Sequence, residues 1–71
     1  MQMLKIGGLY RHYKGKNYRV IAQATHSETL EQMVVYQALY GEGGMWVRPL
    51  AMFLEDVTIE GVTQPRFALV E

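Results

Sequence analysis

Short runs of alternating apolar and polar residues, rather than helical repeats, make up most of this chain. Apolar positions do not recur at the 3.6-residue spacing of an amphipathic helix for more than a turn or two. β-branched and aromatic residues collect instead in short runs, which turn-forming residues close every 8 to 12 positions. This pattern predicts an all-β protein, built as a small barrel or sandwich.

The pattern resolves into about five strands and one short helical turn. Pro49 cannot donate a backbone hydrogen bond and so ends the fourth strand, and residues 50–54 then form one α-helical or 3₁₀ turn. The third strand, MVVYQALY, is apolar on both faces, which is typical of a central strand. Residues 63–69 can add an edge strand that carries Pro65. The five predicted strands cover residues 9–14, 18–26, 33–40, 45–48 and 56–60.

Five short strands with one helical turn before the last are the layout of an SH3-like barrel. An OB-like barrel is the nearest alternative, but it usually needs more residues and a longer helix between its third and fourth strands. We therefore expect one SH3-like barrel domain over residues 1–71. The helical turn must cover one open end of such a barrel, so Met52 and Phe53 are expected to be buried.

The residue composition excludes several classes of site. The chain has 71 residues and no cysteine, so it cannot form disulfides, cysteine-based zinc sites or thiol nucleophiles. No apolar run approaches the length of about 20 residues that spans a bilayer. These features predict a cytoplasmic protein with no membrane association, and no motif in the chain indicates a cofactor.

The charges balance in total but are divided along the chain. Residues 1–27 carry five basic residues and no acidic one, whereas residues 28–71 carry seven acidic and two basic residues, giving net charges of +5 and −5. A protein that binds polyanions usually has surplus positive charge, so the zero total favours a basic hairpin that Asp56 and Glu60 neutralise. Binding of single-stranded nucleic acid, with Tyr10 or Tyr13 stacking on bases, stays open as an alternative.

Two long segments of the chain resemble a known bacterial family. They read RHYKGKNYRV and ATHSETLEQMVVYQALYGEGGMWVRPLAMF. The motifs His-Tyr-Lys-Gly, His-Ser-Glu, Val-Tyr-x-x-Leu-Tyr-Gly and Trp-Val-Arg-Pro-Leu-x-Met-Phe are similar to those of the family termed domain of unknown function 1653, over about residues 8–55. The resemblance implies a small SH3-type barrel. It implies almost nothing about function, because that family is defined by its lack of an assignment.

The register of the first hairpin decides the position of His12. With a two-residue turn at residues 15–16, Tyr13 faces Tyr18, and His12 lies on the opposite face in a basic and aromatic surface. With a three-residue loop at residues 15–17, the register slips by one residue and His12 joins Tyr18. Both registers stay open, so His12 is either a surface residue or part of the core.

The stretch His26-Ser27-Glu28 is the main candidate for catalytic chemistry. Adjacent residues of a strand point to opposite faces, so Ser27 is poorly placed to bond to the His26 ring, and no Gly-x-Ser-x-Gly motif surrounds it. His26 and Glu28 can share a face, where the carboxylate would fix one imidazole tautomer. With His12 they would form a metal site of two histidines and one carboxylate. A turn in which Ser27 and Thr29 bond their own backbone is the preferred interpretation.

The stretch YGEGGMWVRPLAMF contains the only tryptophan of the chain. A tryptophan in so small a protein is often a core residue, because it buries a large area. Period two, however, places Trp46 and Arg48 on the same face of the fourth strand. Grooves of SH3-like folds are commonly lined by aromatic residues, and Trp46 with Arg48 near Tyr13 or Tyr36 would form such a groove. The sequence supports the core interpretation and the groove interpretation of Trp46 equally.

These patterns together predict a non-enzymatic binding or interaction module without catalytic or metal-binding residues. Its partner would be a peptide, a protein or a small ligand, and the short chain leaves room for a homodimer. Single-stranded nucleic-acid binding is the first alternative, and a small hydrolase or metal-dependent enzyme is the second. The predicted ligand-binding residues are Trp46, Arg48, Tyr13, Tyr36, His26 and Glu28.

Overall fold

Seven strands and one short helix follow one another along the part of the chain that the structure, a computed structural model, describes, residues 4–71. The prediction of an all-β protein with one helical turn is confirmed. The elements are β1 (Leu9–His12), β2 (Asn17–Thr25), β3 (Gln32–Ala38), β4 (Met45–Pro49), α1 (Leu50–Leu54), β5 (Asp56–Ile59), β6 (Val62–Pro65) and β7 (Phe67–Leu69).

The strands form two antiparallel sheets. β4, β3, β2, β1 and β7 make a five-stranded sheet in that spatial order, and β5 and β6 make a two-stranded one. The predicted edge strand over residues 63–69 divides at Arg66, because its N–H donates to the Glu55 carbonyl and its own carbonyl accepts from the Tyr13 N–H, both at 3.0 Å. The SH3-like barrel, and one such domain over residues 1–71, stay predictions; the first three residues lie outside the described ones.

The first hairpin takes a register that neither predicted turn gives. Tyr10 pairs with Tyr18, and residues 13–15 form the loop. Gly15, the last residue of the loop, has a φ of +103°, the left-handed conformation that such three-residue loops need at that position. The loop lies two residues earlier than the predicted three-residue loop. A shift of two leaves each side chain on its face, so His12 lies on the side of Tyr18.

Tyr10 is a core residue and not a surface residue. It is fully buried, and its hydroxyl oxygen accepts a hydrogen bond from the Lys5 N–H at 2.9 Å. The suggestion that Tyr10 stacks on nucleic-acid bases is therefore wrong, because the hairpin register turns its ring inward. Tyr13, the other residue suggested for that role, lies in the hairpin loop and is half-buried.

Aromatic rings from four elements form the centre of the core. Phe53 and Phe67 stack with ring centroids 4.1 Å apart, and the rings of Tyr10 and Tyr36 meet Phe53 at 5.3 and 5.4 Å. The expected burial of Phe53 is confirmed, but that of Met52 is wrong, since Met52 is 41% exposed. A helix turns about 100° per residue, so Leu50, Phe53 and Leu54 share the face toward the core and Met52 lies on the opposite face. Val20 and Val34 complete the buried cluster, against which Leu4, Tyr18, Leu50 and Leu54 pack.

Candidate functional site

A pocket opens at the β4 end of the five-stranded sheet. Its volume is about 210 Å³. Four aromatic residues and one arginine line it, and no acidic residue of the described chain does. The lining residues are Tyr18 on β2, Tyr36 on β3, Tyr40 just after β3, and Trp46 and Arg48 on β4.

Strand pairing brings the pocket residues together. Trp46 lies opposite Tyr36, and Arg48 lies opposite Val34. Tyr36 and Val34 are buried, so Trp46 and Arg48 are on the core-facing side of the sheet, but on its edge strand. At this edge the Trp46 side chain stays 56% exposed. Trp46 is therefore not a core residue, and three of the predicted site residues, Trp46, Arg48 and Tyr36, line one pocket.

Hydrogen bonds hold the tyrosine hydroxyl groups of the pocket in place. The Arg48 Nε–H donates to the Tyr36 hydroxyl oxygen at 3.3 Å. The Tyr18 and Tyr40 hydroxyl oxygens lie 2.7 Å apart, so one of these hydroxyls donates to the other. Burial, followed by this hydrogen bond, raises the pKa of Tyr18 to about 12. Tyr18 is therefore protonated at neutral pH.

The pocket offers hydrogen-bond donors more than acceptors. Beyond the Nε–H bond to Tyr36, the Arg48 guanidinium makes no hydrogen bond within residues 4–71. The Tyr36 oxygen accepts that bond, which leaves its own proton free to donate. The Trp46 indole N–H can only donate. Lys16 adds positive charge, with its Nζ 5.0 Å from the centre of the Tyr40 ring.

His12 lies beside the pocket without lining it. Its ring contacts Phe67 edge-on at 4.9 Å and Tyr18 at 6.5 Å between centroids. Its Nδ1 accepts a hydrogen bond from the Lys14 N–H at 3.2 Å. Burial, and then the positive charges of Arg48, Lys14 and Arg66, lower the pKa of His12 below its usual value of 6.5. The imidazole is therefore neutral at pH 7, and its Nε2 carries the proton.

The sequence profile of one protein family matches residues 8–69, nearly the whole chain. That family is described as "Protein of unknown function (DUF1653)". This chain belongs to the DUF1653 family. A crystal structure of a DUF1653 protein from Bordetella bronchiseptica is 43% identical and has a TM-score of 0.86, covering 99% of this chain and 91% of that one. The resemblance to this family is thus confirmed. A comparison with curated proteins found no match to the chain.

His26 and Glu28 of this DUF1653 protein do not line the pocket. They lie at the turn between β2 and β3, where the His26 Nδ1 accepts from the N–H groups of Glu28 and Thr29 at 3.1 and 3.3 Å. Backbone donors, and not the Glu28 carboxylate, therefore fix the imidazole tautomer. The Thr29 hydroxyl accepts from the Glu31 N–H at 3.2 Å, as the turn interpretation predicts for that residue. A ligand-binding role for His26 and Glu28 stays a prediction.

The remaining predicted site residue, Tyr13, lies outside the pocket lining. Its ring packs on that of His12, with centroids 4.4 Å apart. Within residues 4–71, no three histidine or acidic side chains lie close enough together to hold a metal ion, so the alternative metal site of His12, His26 and Glu28 is not assembled. No helix of this range is long and apolar enough to cross a membrane.

Two pocket residues of this DUF1653 protein, Tyr18 and Tyr40, were not anticipated from the sequence. Their hydroxyl contact joins residues 22 positions apart, which only the pairing of β2 with β3 brings together. Tyr18 takes its place from the hairpin register, which the sequence left open. The motif VYQALYG does contain a signal for Tyr40, since it lies four residues after Tyr36 and thus on the same side if the strand continues.

Proposed function

We propose that this DUF1653 protein is a non-enzymatic binding module whose ligand enters the pocket between Trp46 and Arg48. One observation carries the proposal: four aromatic side chains and an arginine surround a 210 Å³ cavity at the edge of the sheet. Trp46 is 56% exposed there, although burial of its ring would stabilise the fold. A large exposed aromatic residue that lines a cavity is typical of a recognition surface.

The groups in the pocket favour a ligand with a flat apolar part and an anionic group. Arg48, Tyr36 and Trp46 all present donors, which match carboxylate or phosphate oxygens. A cationic ligand such as a methylated lysine is disfavoured, because Arg48 lies among the aromatic residues that line the pocket and Lys16 lies beside Tyr40. Both positive charges would repel a cation that approached the aromatic rings. The aromatic surfaces would hold the flat part of the ligand.

The protonation states support binding rather than acid–base catalysis. A general base near neutral pH needs a pKa close to 7 and a free lone pair. Tyr18, whose pKa is raised to about 12, keeps its proton and acts as a donor or acceptor only. The His26 Nδ1 is occupied by backbone donors of its own turn.

Single-stranded nucleic acid is a second candidate, supported by the charge on the hairpin. The ion pair of the described chain is Arg66 with Glu55 at 2.8 Å, so the expected neutralisation of the basic hairpin by Asp56 and Glu60 does not occur through contact. We expect only weak binding to a 12-nucleotide thymidine strand, falling steeply with salt. Submicromolar binding at physiological salt, abolished by Arg11→Glu, would reverse the order of the two candidates.

Two small probes test the proposed function directly. N-acetylphenylalanine carries an aromatic ring and a carboxylate, and N-acetylphenylalaninamide lacks the charge. The first should quench or shift Trp46 fluorescence with a Kd on the order of 1 mM, which is usual for so small a ligand, and the amide should bind at least several-fold more weakly. Arg48→Gln should remove the difference between the probes, and the matched Arg11→Gln, outside the pocket, should not. No response to either probe at 20 mM would refute the proposal.

A further inference from the structure

We propose that the open edge of β4 binds an acidic peptide as an additional antiparallel strand, with the peptide's side chains entering the pocket. The inference rests on the proposed function, since it assigns a ligand class to the same pocket. β4 is the terminal strand of the five-stranded sheet and pairs with β3 on one side. Its first three residues, Met45, Trp46 and Val47, are all more than half exposed.

The hydrogen-bonding pattern shows which backbone groups face the open edge. The Ala38 N–H donates to the Gly44 carbonyl at 2.9 Å, so Gly44 belongs to a hydrogen-bonded pair with β3. Alternation along an antiparallel strand then directs Trp46 and Arg48 backbone groups toward β3 as well. The N–H and C=O groups of Met45 and Val47 point outward. The Pro49 carbonyl is not available to a partner, because Pro49 is the N-cap of α1 and its carbonyl accepts the first hydrogen bond of that helix. Within residues 4–71, β4 pairs with β3 alone, so no other strand covers the outward groups of Met45 and Val47.

The same alternation couples this edge to the pocket. For a strand added outside β4, Trp46 and Arg48 occupy the non-hydrogen-bonded positions, where facing side chains approach most closely. Both side chains lie on the pocket side of the sheet. The two residues of the added strand that face them therefore also point to the pocket side. β4 would therefore bind the backbone of the peptide through hydrogen bonds, and the pocket would bind two of its side chains at the same time, as in other cases of strand addition.

Charge identifies the class of occupant. Arg48 has unused guanidinium donors, and a carboxylate in the facing residue would pair with it. An aromatic or large apolar residue would face Trp46. In an antiparallel strand the residue facing Arg48 comes first, so the expected motif is acidic-x-aromatic. A second copy of this chain fits less well, because β4 reads MWVRP and would bring a second arginine and no carboxylate.

The length of the edge also favours a peptide over a second copy. β4 has five residues, about 17 Å at 3.4 Å per residue, and Pro49 supplies no N–H. Stable protein dimers usually bury about 800 Å² on each partner, which a single short edge does not provide by itself. An extended peptide needs only the backbone groups of Met45 and Val47 and the two side-chain positions.

A designed peptide tests this inference. The probe is acetylated and amidated Ser-Thr-Thr-Glu-Thr-Phe-Thr-Ser, which carries an acidic residue and no basic one, and whose Glu and Phe are to face Arg48 and Trp46. The central Thr between them should exchange hydrogen bonds with Val47. We expect the peptide to shift Trp46 fluorescence and the amide NMR signals of Met45 and Val47. Replacing its Glu by Gln, or N-methylating the central Thr, should each weaken binding at least tenfold.

Variants of the protein give the matching test from the other side. Val47→Pro removes an outward N–H and no bond to β3, so it should weaken peptide binding at least tenfold while leaving N-acetylphenylalanine binding unchanged. Val47→Ala is its control and should bind the peptide within twofold of the original. Should Val47→Pro melt early by circular dichroism, the N-methylated peptide still tests the same hydrogen bonds.

The outcomes separate the two proposals. Tight binding of the N-methylated peptide would overturn strand addition and leave the pocket as a binding site. Binding of N-acetylphenylalanine without any binding of the peptide would do the same. Absence of binding by both probes would refute the pocket itself. A protein that sediments as a dimer, whose Val47→Pro variant is monomeric, would show that a second copy occupies the edge and would also overturn the inference.

Discussion

Replacing Phe53 tests whether the core is built as the structure places it. Phe53 is fully buried and lies parallel to Phe67, with an angle of 6° between the ring planes. Tyr10 and Tyr36 contact the same ring from two other strands. The side chain thus joins the short helix α1 to β1, β3 and β7, and its removal should loosen all four elements together.

The loss of the Phe53 ring is large compared with the free energy of unfolding of so small a protein. A chain of 71 residues has a free energy of unfolding of about 4–10 kcal/mol, at roughly 0.05–0.15 kcal/mol per residue. Phe53→Ala should cost about 3–5 kcal/mol, which approaches that total. Phe53→Leu keeps most of the apolar volume but loses the ring contacts, and should cost about 1–2 kcal/mol. The leucine variant is therefore expected to fold with a Tm lower by about 5–15 °C.

Urea unfolding followed by far-UV circular dichroism measures these changes. With a slope of about 1 kcal/mol per molar urea, Phe53→Leu should lower the midpoint by about 1–2 M. Met52→Ala, in the same helical turn but on its exposed side, should change stability by less than about 0.5 kcal/mol. The reasoning would be refuted by an unchanged midpoint in Phe53→Leu, or by a Met52→Ala variant that is destabilised equally.

Three further predictions concern the pocket and the groups beside it. Trp46→Ala should lower the Tm by only a few degrees, and the fluorescence maximum of the original protein should lie near that of free tryptophan in water; a strongly blue-shifted maximum would contradict this. Because the pKa of His12 is lower in the folded chain than its unfolded value of 6.5, stability from this group is complete above pH 6.5 and is lost as the pH falls toward the folded pKa. Urea midpoints should therefore fall less between pH 7 and 5 in His12→Gln than in the original protein. The pKa of Tyr18 is about 12 in the folded chain and about 10 when unfolded, so the protonated hydroxyl stabilises the fold below pH 10, and this stabilisation is lost by pH 12. Tyr40→Phe removes the hydrogen bond to Tyr18 and should lower the pKa of Tyr18 in an ultraviolet titration.

Local rules predicted the parts of this protein that depend on neighbours along the chain. Pro49 ends a strand and begins the helical turn because it lacks an N–H, and α1 covers the predicted residues 50–54. The two-residue period placed Trp46 and Arg48 on one face before any partner strand was known. Gly15 marked a turn, but a glycine near the end of the first strand fits more than one loop length. The register that buries Tyr10 was therefore not fixed by local sequence.

Features that depend on pairing of distant strands could not be obtained in this way. Tyr18 and Tyr40 meet because β2 and β3 pair in the register that places Tyr18 opposite Ala38, two residues before Tyr40. A bulge between Val20 and Ala22 changes the register beyond that point, so it could not be extrapolated along the strand. The burial of Met52 was overestimated because the single helical turn directs Leu50, Phe53 and Leu54 to the core, which leaves Met52 on its exposed side. The net charges of the two parts of the chain also did not predict which charged residues meet, since Asp56 and Glu60 make no ion pair with the hairpin within residues 4–71.

The pocket and the core share Tyr36, and this links stability to the proposed binding. The Tyr36 ring packs against Phe53 and Phe67 at 5.4 and 5.5 Å, while its hydroxyl oxygen accepts from Arg48. The Tyr36 side of the pocket is therefore part of the core, whereas Trp46 is exposed and lies outside the core cluster. Changes at Trp46 should affect ligand binding with little effect on folding, whereas Phe53→Leu should weaken both, because it removes the support on which the Tyr36 wall rests.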